Sequence, residues 1–253
     1  MSGGLTVVGL GPGPAAWTTP AATAALAEAT DLVGYGPYLD RLPDRPGQRR
    51  HASDNRVELE RARHALALAA GGRQVAVVSG GDPGVFAMAA AVFEAVETGD
   101  PAWRGLDLRV EPGVTAMLAA AARVGAPLGH DFAALSLSDN LKPWEVIERR
   151  LRLAAEADLV LALYNPVSRA RPQQLAQAFA VLGQIRDAGT PVVFARAVGR
   201  ADERVTLATL AEVTDIAADM ATMIIVGSSE TRLVARAGGG AWVYTPRHYG
   251  GGR

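Results

Sequence analysis

Val7-Val8-Gly9-Leu10-Gly11-Pro12-Gly13-Pro14 closes a short apolar run that begins at Leu5, within the first ten or so residues of the chain. A β-branched run that stops on glycine reads as a strand ending in a turn, where missing side chains let a ligand lie against the backbone. The spacing approaches the dinucleotide fingerprint G-x-G-x-x-G and then departs from it. Glycines fall at 9, 11 and 13, and Pro14 stands where the third fingerprint glycine belongs. Pro12 and Pro14 also remove backbone N–H groups that a pyrophosphate would need. No acidic residue ends a second strand roughly twenty residues on; that stretch reads Leu32-Val33-Gly34-Tyr35. The loop suits a ligand without a pyrophosphate.

Outward from this loop, short apolar runs alternate with alanine-rich stretches. Residues 5–10, 31–35, 74–79 and 106–110 read as strands; 20–29, 57–70, 85–96 and 114–123 read as helices. The alternation predicts a mainly parallel sheet with helices on both faces. Gly125-Ala126-Pro127-Leu128-Gly129 breaks the rhythm. It sets the expected division into an N-terminal α/β domain, 1–126, and a C-terminal α/β domain, 127–253. The second half reads as strands 133–137, 159–164, 192–195 and 223–226, with helices 143–155 and 172–186. Pro143 and Pro172 suit first helical turns. The glycine runs at 238–240 and 250–252 predict a loose tail.

Composition narrows the function classes. The chain has 253 residues, 49% hydrophobic and 20% charged, enough for a sizeable core. A formal net charge of −1 gives no support for nucleic-acid binding. Lys142 is the only lysine, so positive charge is carried by arginine, whose planar forks suit carboxylates. The absence of cysteine excludes disulfides, thiolate nucleophiles and cysteine-ligated metal centres in this chain, and a cytoplasmic location is expected. No apolar run reaches ~18 residues, so no membrane span is expected. Met1-Ser2-Gly3-Gly4 lacks the basic and apolar regions of a signal peptide. No metal site is predicted.

Four predicted strands end in small or polar loops: 9–14, Ser79-Gly80-Gly81-Asp82-Pro83-Gly84, Glu111-Pro112-Gly113-Val114-Thr115-Ala116, and Tyr164-Asn165-Pro166. In open α/β sheets ligands sit beyond the carboxyl ends of strands. Four such loops point to one site. Asp82 can accept from ribose hydroxyls or cap a helix, and Thr115 adds a hydroxyl near a helix start.

In order and spacing these four motifs resemble the tetrapyrrole methylases, which have the class III S-adenosylmethionine-dependent methyltransferase fold. The likeness covers almost the whole chain. It implies two α/β domains with S-adenosylmethionine in the interdomain cleft. It implies cofactor contacts from Pro12, Gly80, Gly81, Asp82, Val85, Thr115, Ala116 and Asn165, with Tyr164, Val198 and Thr222 close by. Further stretches are similar to the corrin-building branch: Gly34-Tyr35-Gly36-Pro37-Tyr38, His130-Asp131-Phe132, the run from Ser136 to Glu145, Leu163 to Ser168, and Asp219 to Met223. Early-pathway relatives carry Met-Gly where this chain has Asn165-Pro166. On this resemblance the substrate is a tetrapyrrole polycarboxylate touched by Tyr35, His130, Ser136, Ser138 and Asp139, the assembly is a homodimer, and the general base is left open. Arginines beside predicted loops that would meet such carboxylates are Arg49, Arg50, Arg123, Arg169, Arg171, Arg196 and Arg200. A nicotinamide oxidoreductase and a non-catalytic metabolite-binding protein are the rival readings. The prolines of the first loop argue against the former.

Overall fold

A computed structural model describes residues 3–54 and 57–250. The chain divides into two compact units, Met1–Ala116 and Met117–Arg253. The cut falls ten residues ahead of the expected boundary at 126. The reason is local: Gly125-Ala126 is no linker but a short strand, paired with residues 243–244 of the second unit.

The first unit runs β1 (Gly4–Gly9), α1 (Pro20–Glu28), β2 (Asp31–Tyr35), α2 (Gly36–Leu39), β3 (Arg49–Ser53), α3 (Glu58–Ala70), β4 (Gln74–Ser79), α4 (Met88–Thr98) and β5 (Asp107–Glu111). Its sheet has the order β3-β2-β4-β1-β5, and every pairing is parallel. Alternate strand residues serve opposite faces. Leu5, Val7, Val33, Val75 and Val77 pack with α3 and α4, while Val8, Leu10, Leu32, Ala76 and Val78 pack with α1 and Leu39. Thr19 caps α1 by accepting from the Ala22 N–H at 3.1 Å, with Pro20 in the first turn. The apolar faces of α3 and α4 lie in this core.

Helix α5 (Ala116–Val124) starts on the last residue of the first unit, and the second unit goes on with β6 (Gly125–Ala126), β7 (Phe132–Ser136), α6 (Trp144–Glu156), β8 (Val160–Tyr164), α7 (Gln174–Leu182), β9 (Pro191–Arg196), β10 (Arg204–Thr209), β11 (Thr222–Val226), β12 (Arg232–Ala235) and β13 (Ala241–Tyr244). The larger sheet has the order β10-β9-β11-β8-β7. Only β7 and β8 are parallel; the other pairs are antiparallel. Ile147, Leu151 and Ala155 of α6 and Leu175, Ala178 and Leu182 of α7 bury against Leu161, Leu163, Phe194 and Ile224. A small sheet joins β12, β13 and β6.

Several expected bounds shift for visible reasons. Helix α4 starts at Met88 because Phe86 is left-handed, with φ +52°. Pro143 is the residue before α6, and α7 starts two residues after Pro172. Glycines 238–240 form the turn between β12 and β13 instead of a tail; Gly251 and Gly252 lie outside the described residues. Among the described residues no helix is long and apolar enough to cross a membrane.

Candidate active site

In the first unit, four parallel strands deliver their carboxyl ends to one edge: Gly9, Tyr35, Ser79 and Glu111. The loops beyond them interlock through the backbone. Gly11 and Gly81 exchange two N–H···O bonds of 3.1 Å each. Asp82 Oδ1 accepts from the Gly84 N–H at 2.8 Å, and Oδ2 accepts from the Gly113 N–H at 3.0 Å. The Asp82 carboxylate is therefore the tie between the second and third loops, and it caps no helix. A Cβ on Gly9 would stand 2.7 Å from the Gly81 carbonyl oxygen and 2.8 Å from the Gly113 nitrogen. Gly9, Gly81 and Gly113 thus form a floor of bare backbone. Pro12, Gly80, Gly81, Asp82, Val85, Thr115 and Ala116 all belong to these loops. Thr115 is buried, and its Cα lies 3.9 Å from where a Gly81 Cβ would be.

In the second unit, the register gathers another set. Ser136 pairs with Tyr164 at the ends of β7 and β8. Thr222, which starts the antiparallel β11, pairs with Arg196, which ends β9. Tyr164, Asn165, Val198, Thr222, Ser136, Ser138 and Asp139 therefore share one end of that sheet. Asn165 is left-handed, with φ +53°, and its Nδ2 donates to Ser136 Oγ at 2.9 Å. Ser136 Oγ also accepts from the Ser138 N–H at 3.3 Å. The Tyr164 hydroxyl accepts from the Met117 N–H at 3.2 Å. Asp139 accepts from Gln174 Nε2 at 2.9 Å. Thr222 Oγ1 donates to Asp219 Oδ1 at 2.8 Å. Burial pushes the Asp219 carboxyl up, but Thr222, Arg196 and the Ala221 N–H outweigh it and hold it below the usual carboxylate range.

His130 is placed elsewhere. It precedes β7, so it lies about 20 Å along the strand from Ser136 at 3.3 Å per residue, and its ring stands 6.2 Å from that of Tyr249. Its Nδ1 accepts from the Asp131 N–H at 2.8 Å. Tyr35, in the first unit, sits edge-on to Tyr38 at the loop end of β2. Among the described residues no His, Asp and Glu cluster forms a metal site.

Several of the loop arginines are committed within the fold. Arg50 donates to the carbonyls of Leu39 and Leu42. Arg123 forks onto Glu203, and Arg196 bridges Asp202 and Asp219. Arg171 is buried and donates to the carbonyls of Leu137 and Asn165, so it braces the ends of β7 and β8. Arg49 and Arg169 are exposed.

Two contributors escape sequence reading. The Tyr38 ring backs Gly80, where a Cβ would come within 2.7 Å of the ring. Arg41 reaches carbonyls of the first loop. Their partners lie about thirty to forty residues away in sequence, so no local pattern marks them; the Gly36-Pro37-Tyr38 stretch was the one nearby signal.

A family model described as "Tetrapyrrole (Corrin/Porphyrin) Methylases" matches residues 4–214. A Sinorhizobium sp protein named precorrin-3B C(17)-methyltransferase is 61% identical over 251 residues, 99% of each chain. A Mycobacterium bovis protein named cobalamin biosynthesis protein CobIJ is 52% identical over 98% of this chain, which spans 49% of that longer protein. The crystal structure of the methyltransferase CobJ superposes with a TM-score of 0.92 at 53% identity, covering 97% of this chain and 100% of that one. A Thermus thermophilus uroporphyrin-III C-methyl transferase, solved with S-adenyl homocysteine, shares the fold at a TM-score of 0.68 and 24% identity, over 89% of this chain and 97% of that one.

Proposed function

The chain belongs to the tetrapyrrole (corrin/porphyrin) methylases, and from that premise we propose that it transfers a methyl group from S-adenosylmethionine to C17 of precorrin-3B, with ring contraction to precorrin-4. It is a methyltransferase of cobalamin biosynthesis. The observation that carries the donor assignment is the floor made by Gly9, Gly81 and Gly113, interlocked by Asp82. Bare backbone accepts a flat nucleoside closely, and a carboxylate with no arginine paired to it among the described residues suits a cationic ligand. What supports the choice of substrate is identity over nearly the full length of the Sinorhizobium protein.

Pro12, Gly80, Gly81, Asp82, Val85, Thr115 and Ala116 are the residues we place on the donor, and the family resemblance adds Tyr164, Asn165, Val198 and Thr222. When bound, S-adenosylmethionine supplies a methyl group on a sulfonium, open to in-line displacement. The chain's own work is alignment and exclusion of water. A reduced tetrapyrrole carries an enamine-like carbon, so no activated side chain is required for the transfer. Ring contraction takes a proton from the C20 hydroxyl, which an earlier oxygen-inserting reaction must install. Tyr35, Ser136, Ser138 and Asp139 are the groups we place on the macrocycle. Arg49 opens β3 beside Asp31, at the end of the sheet away from the loops, so the exposed Arg169 is the arginine we assign to its carboxylates. The location we propose is the cytoplasm.

Two measurements test this reading. S-adenosylhomocysteine at 100 times its Kd should stabilise the protein by about 2.7 kcal/mol, a shift of several degrees in Tm. NAD should give no shift, because the first loop lacks pyrophosphate donors. Incubation with precorrin-3B and methyl-labelled donor should then give a singly methylated, ring-contracted product by mass analysis. The precursor without the C20 hydroxyl should not contract. Failure to methylate either compound would refute the substrate and leave the family. Contraction of the unhydroxylated compound would refute the mechanism.

We also propose a homodimer, with light scattering expected to give twice 26.3 kDa at micromolar concentration. The apolar faces of α3 and α4 are spent in the core, and Phe86 and Phe93, each 51% exposed, are among the apolar groups left at the surface. A monomer mass would refute it.

A further inference from the structure

We propose that Arg41 is a positioning residue for the methyl donor, acting through the backbone of the first glycine loop. The proposal rests on the reading that this loop holds S-adenosylmethionine. Arg41 stands two residues beyond α2. Its Nη2 donates to the carbonyls of Leu10, Gly11 and Gly13 at 3.3, 3.1 and 3.1 Å. Three carbonyls from four consecutive residues therefore converge on one nitrogen, and the backbone curves around it. The loop needs such a brace. Pro12 and Pro14 contribute no N–H, so the loop has two fewer donors with which to hold its own backbone. Other ties include the Leu10 N–H to the Ser79 carbonyl at 2.9 Å, the Gly11–Gly81 pair, the Trp17 N–H to the Pro14 carbonyl at 2.9 Å, and the Thr18 hydroxyl, which donates to the Leu10 carbonyl at 3.2 Å.

The brace is itself held. Arg41 N–H bonds the Tyr38 carbonyl at 3.2 Å, and Leu42 N–H bonds the Leu39 carbonyl at 3.0 Å. Arg50, from β3, donates to the carbonyls of Leu39 and Leu42 at 3.1 and 2.8 Å, on either side of Arg41. Tyr38, on the same segment, presses its ring on Gly80 of the second loop. The short segment from Tyr38 to Leu42 thus sets both glycine loops from behind. A hydrogen bond to a charged donor is among the stronger neutral-acceptor contacts, and a planar guanidinium fixes direction as well as distance.

The test is titration of S-adenosylhomocysteine into Arg41→Ala, with exchange of the Gly11 and Gly13 amides followed in ligand-free protein. Affinity should fall about 10-fold or more, and Gly11 should exchange faster, as expected when a charged brace is lost. In turnover, KM for the donor should rise while kcat and KM for the tetrapyrrole stay within about twofold. Added methylguanidinium should restore donor affinity in Arg41→Ala and change nothing in wild type, a response that general destabilisation would not give. Should Arg41→Ala fail to fold, Arg41→Lys keeps the charge without the fork and should show the same KM rise. Affinity within twofold of wild type in a folded variant overturns the proposal, as does a loss spread equally over donor and tetrapyrrole. Wild type that fails to bind would instead overturn the cofactor reading, and the ligand-free exchange would still report whether the brace holds the loop.

Discussion

Gly9→Ala is expected to weaken S-adenosylhomocysteine binding by about 100-fold. The added carbon would stand 2.7 Å from the Gly81 carbonyl oxygen, 2.8 Å from the Gly113 nitrogen and 2.8 Å from Pro83 Cδ. Two of these are backbone atoms and the third is a ring carbon, so none can rotate away. Relief requires the three loops to spread. Spreading breaks the reciprocal Gly11–Gly81 bonds and the Asp82–Gly113 tie. Overpacking of this kind costs about 1–3 kcal/mol, and each 1.4 kcal/mol is a factor of ten where the loss falls on the bound state. The same strain should lower Tm by several degrees. Gly36→Ala is the matched control, because nothing lies within 4 Å of its added carbon. Calorimetric titration decides the matter: affinity of Gly9→Ala within threefold of wild type would show that this floor does not carry the donor.

The glycine loops were legible because their information is local. A β-branched run, a glycine and a proline define a strand end wherever they occur, and four of them in order define a sheet edge. The core strands were legible for the same reason, since β1 and β4 carry the apolar runs Val7-Val8 and Val75-Ala76-Val77-Val78 and are buried at nearly every position. Strand β3 was not, because Arg49-Arg50-His51-Ala52-Ser53 lies at the sheet edge, half exposed, and carries no apolar pattern. Strand β12 is exposed at every residue and pairs on one side only. The role of Asp82 was half legible. Its Asx turn to Gly84 is local, but its second oxygen serves Gly113, 31 residues on. Arg171 was read as a ligand for substrate because loop arginines often are. Its burial follows from the fold that brings the ends of β7 and β8 together around it.

At the opposite end of the first sheet, Asp31→Asn should cost about 3 kcal/mol of stability and leave donor affinity unchanged, as for one partner removed from a buried ion pair. Asp31 opens β2, so the strand separates it from the loops. Its carboxylate is fully buried. Oδ2 accepts from Arg73 Nε at 2.6 Å and from Thr30 Oγ1 at 2.7 Å, and Oδ1 lies 2.9 Å from His51 Nε2. Burial alone would raise the pKa; the hydrogen bonds from Arg73, Thr30 and His51 and the Arg73 charge outweigh it and hold it at about 2, against 3.8 for the free side chain. A folded-state pKa below the unfolded one means stability that is fully present above the unfolded value. It is lost as pH falls from about 4 to about 2, roughly 2 kcal/mol for a gap of this size. His51 Nδ1 in turn meets His64 Nε2 at 3.1 Å. Asparagine keeps the shape but offers Arg73 no charge and turns an amide donor toward partners that also donate. Denaturant melts at a series of pH values measure both effects. Wild type should lose stability more steeply than Asp31→Asn between pH 4 and pH 2, so the two curves converge on acidification. Parallel curves through that window would show that the Asp31 charge does not support the sheet, and a drop in donor affinity beside them would show that the two ends of this sheet are not independent.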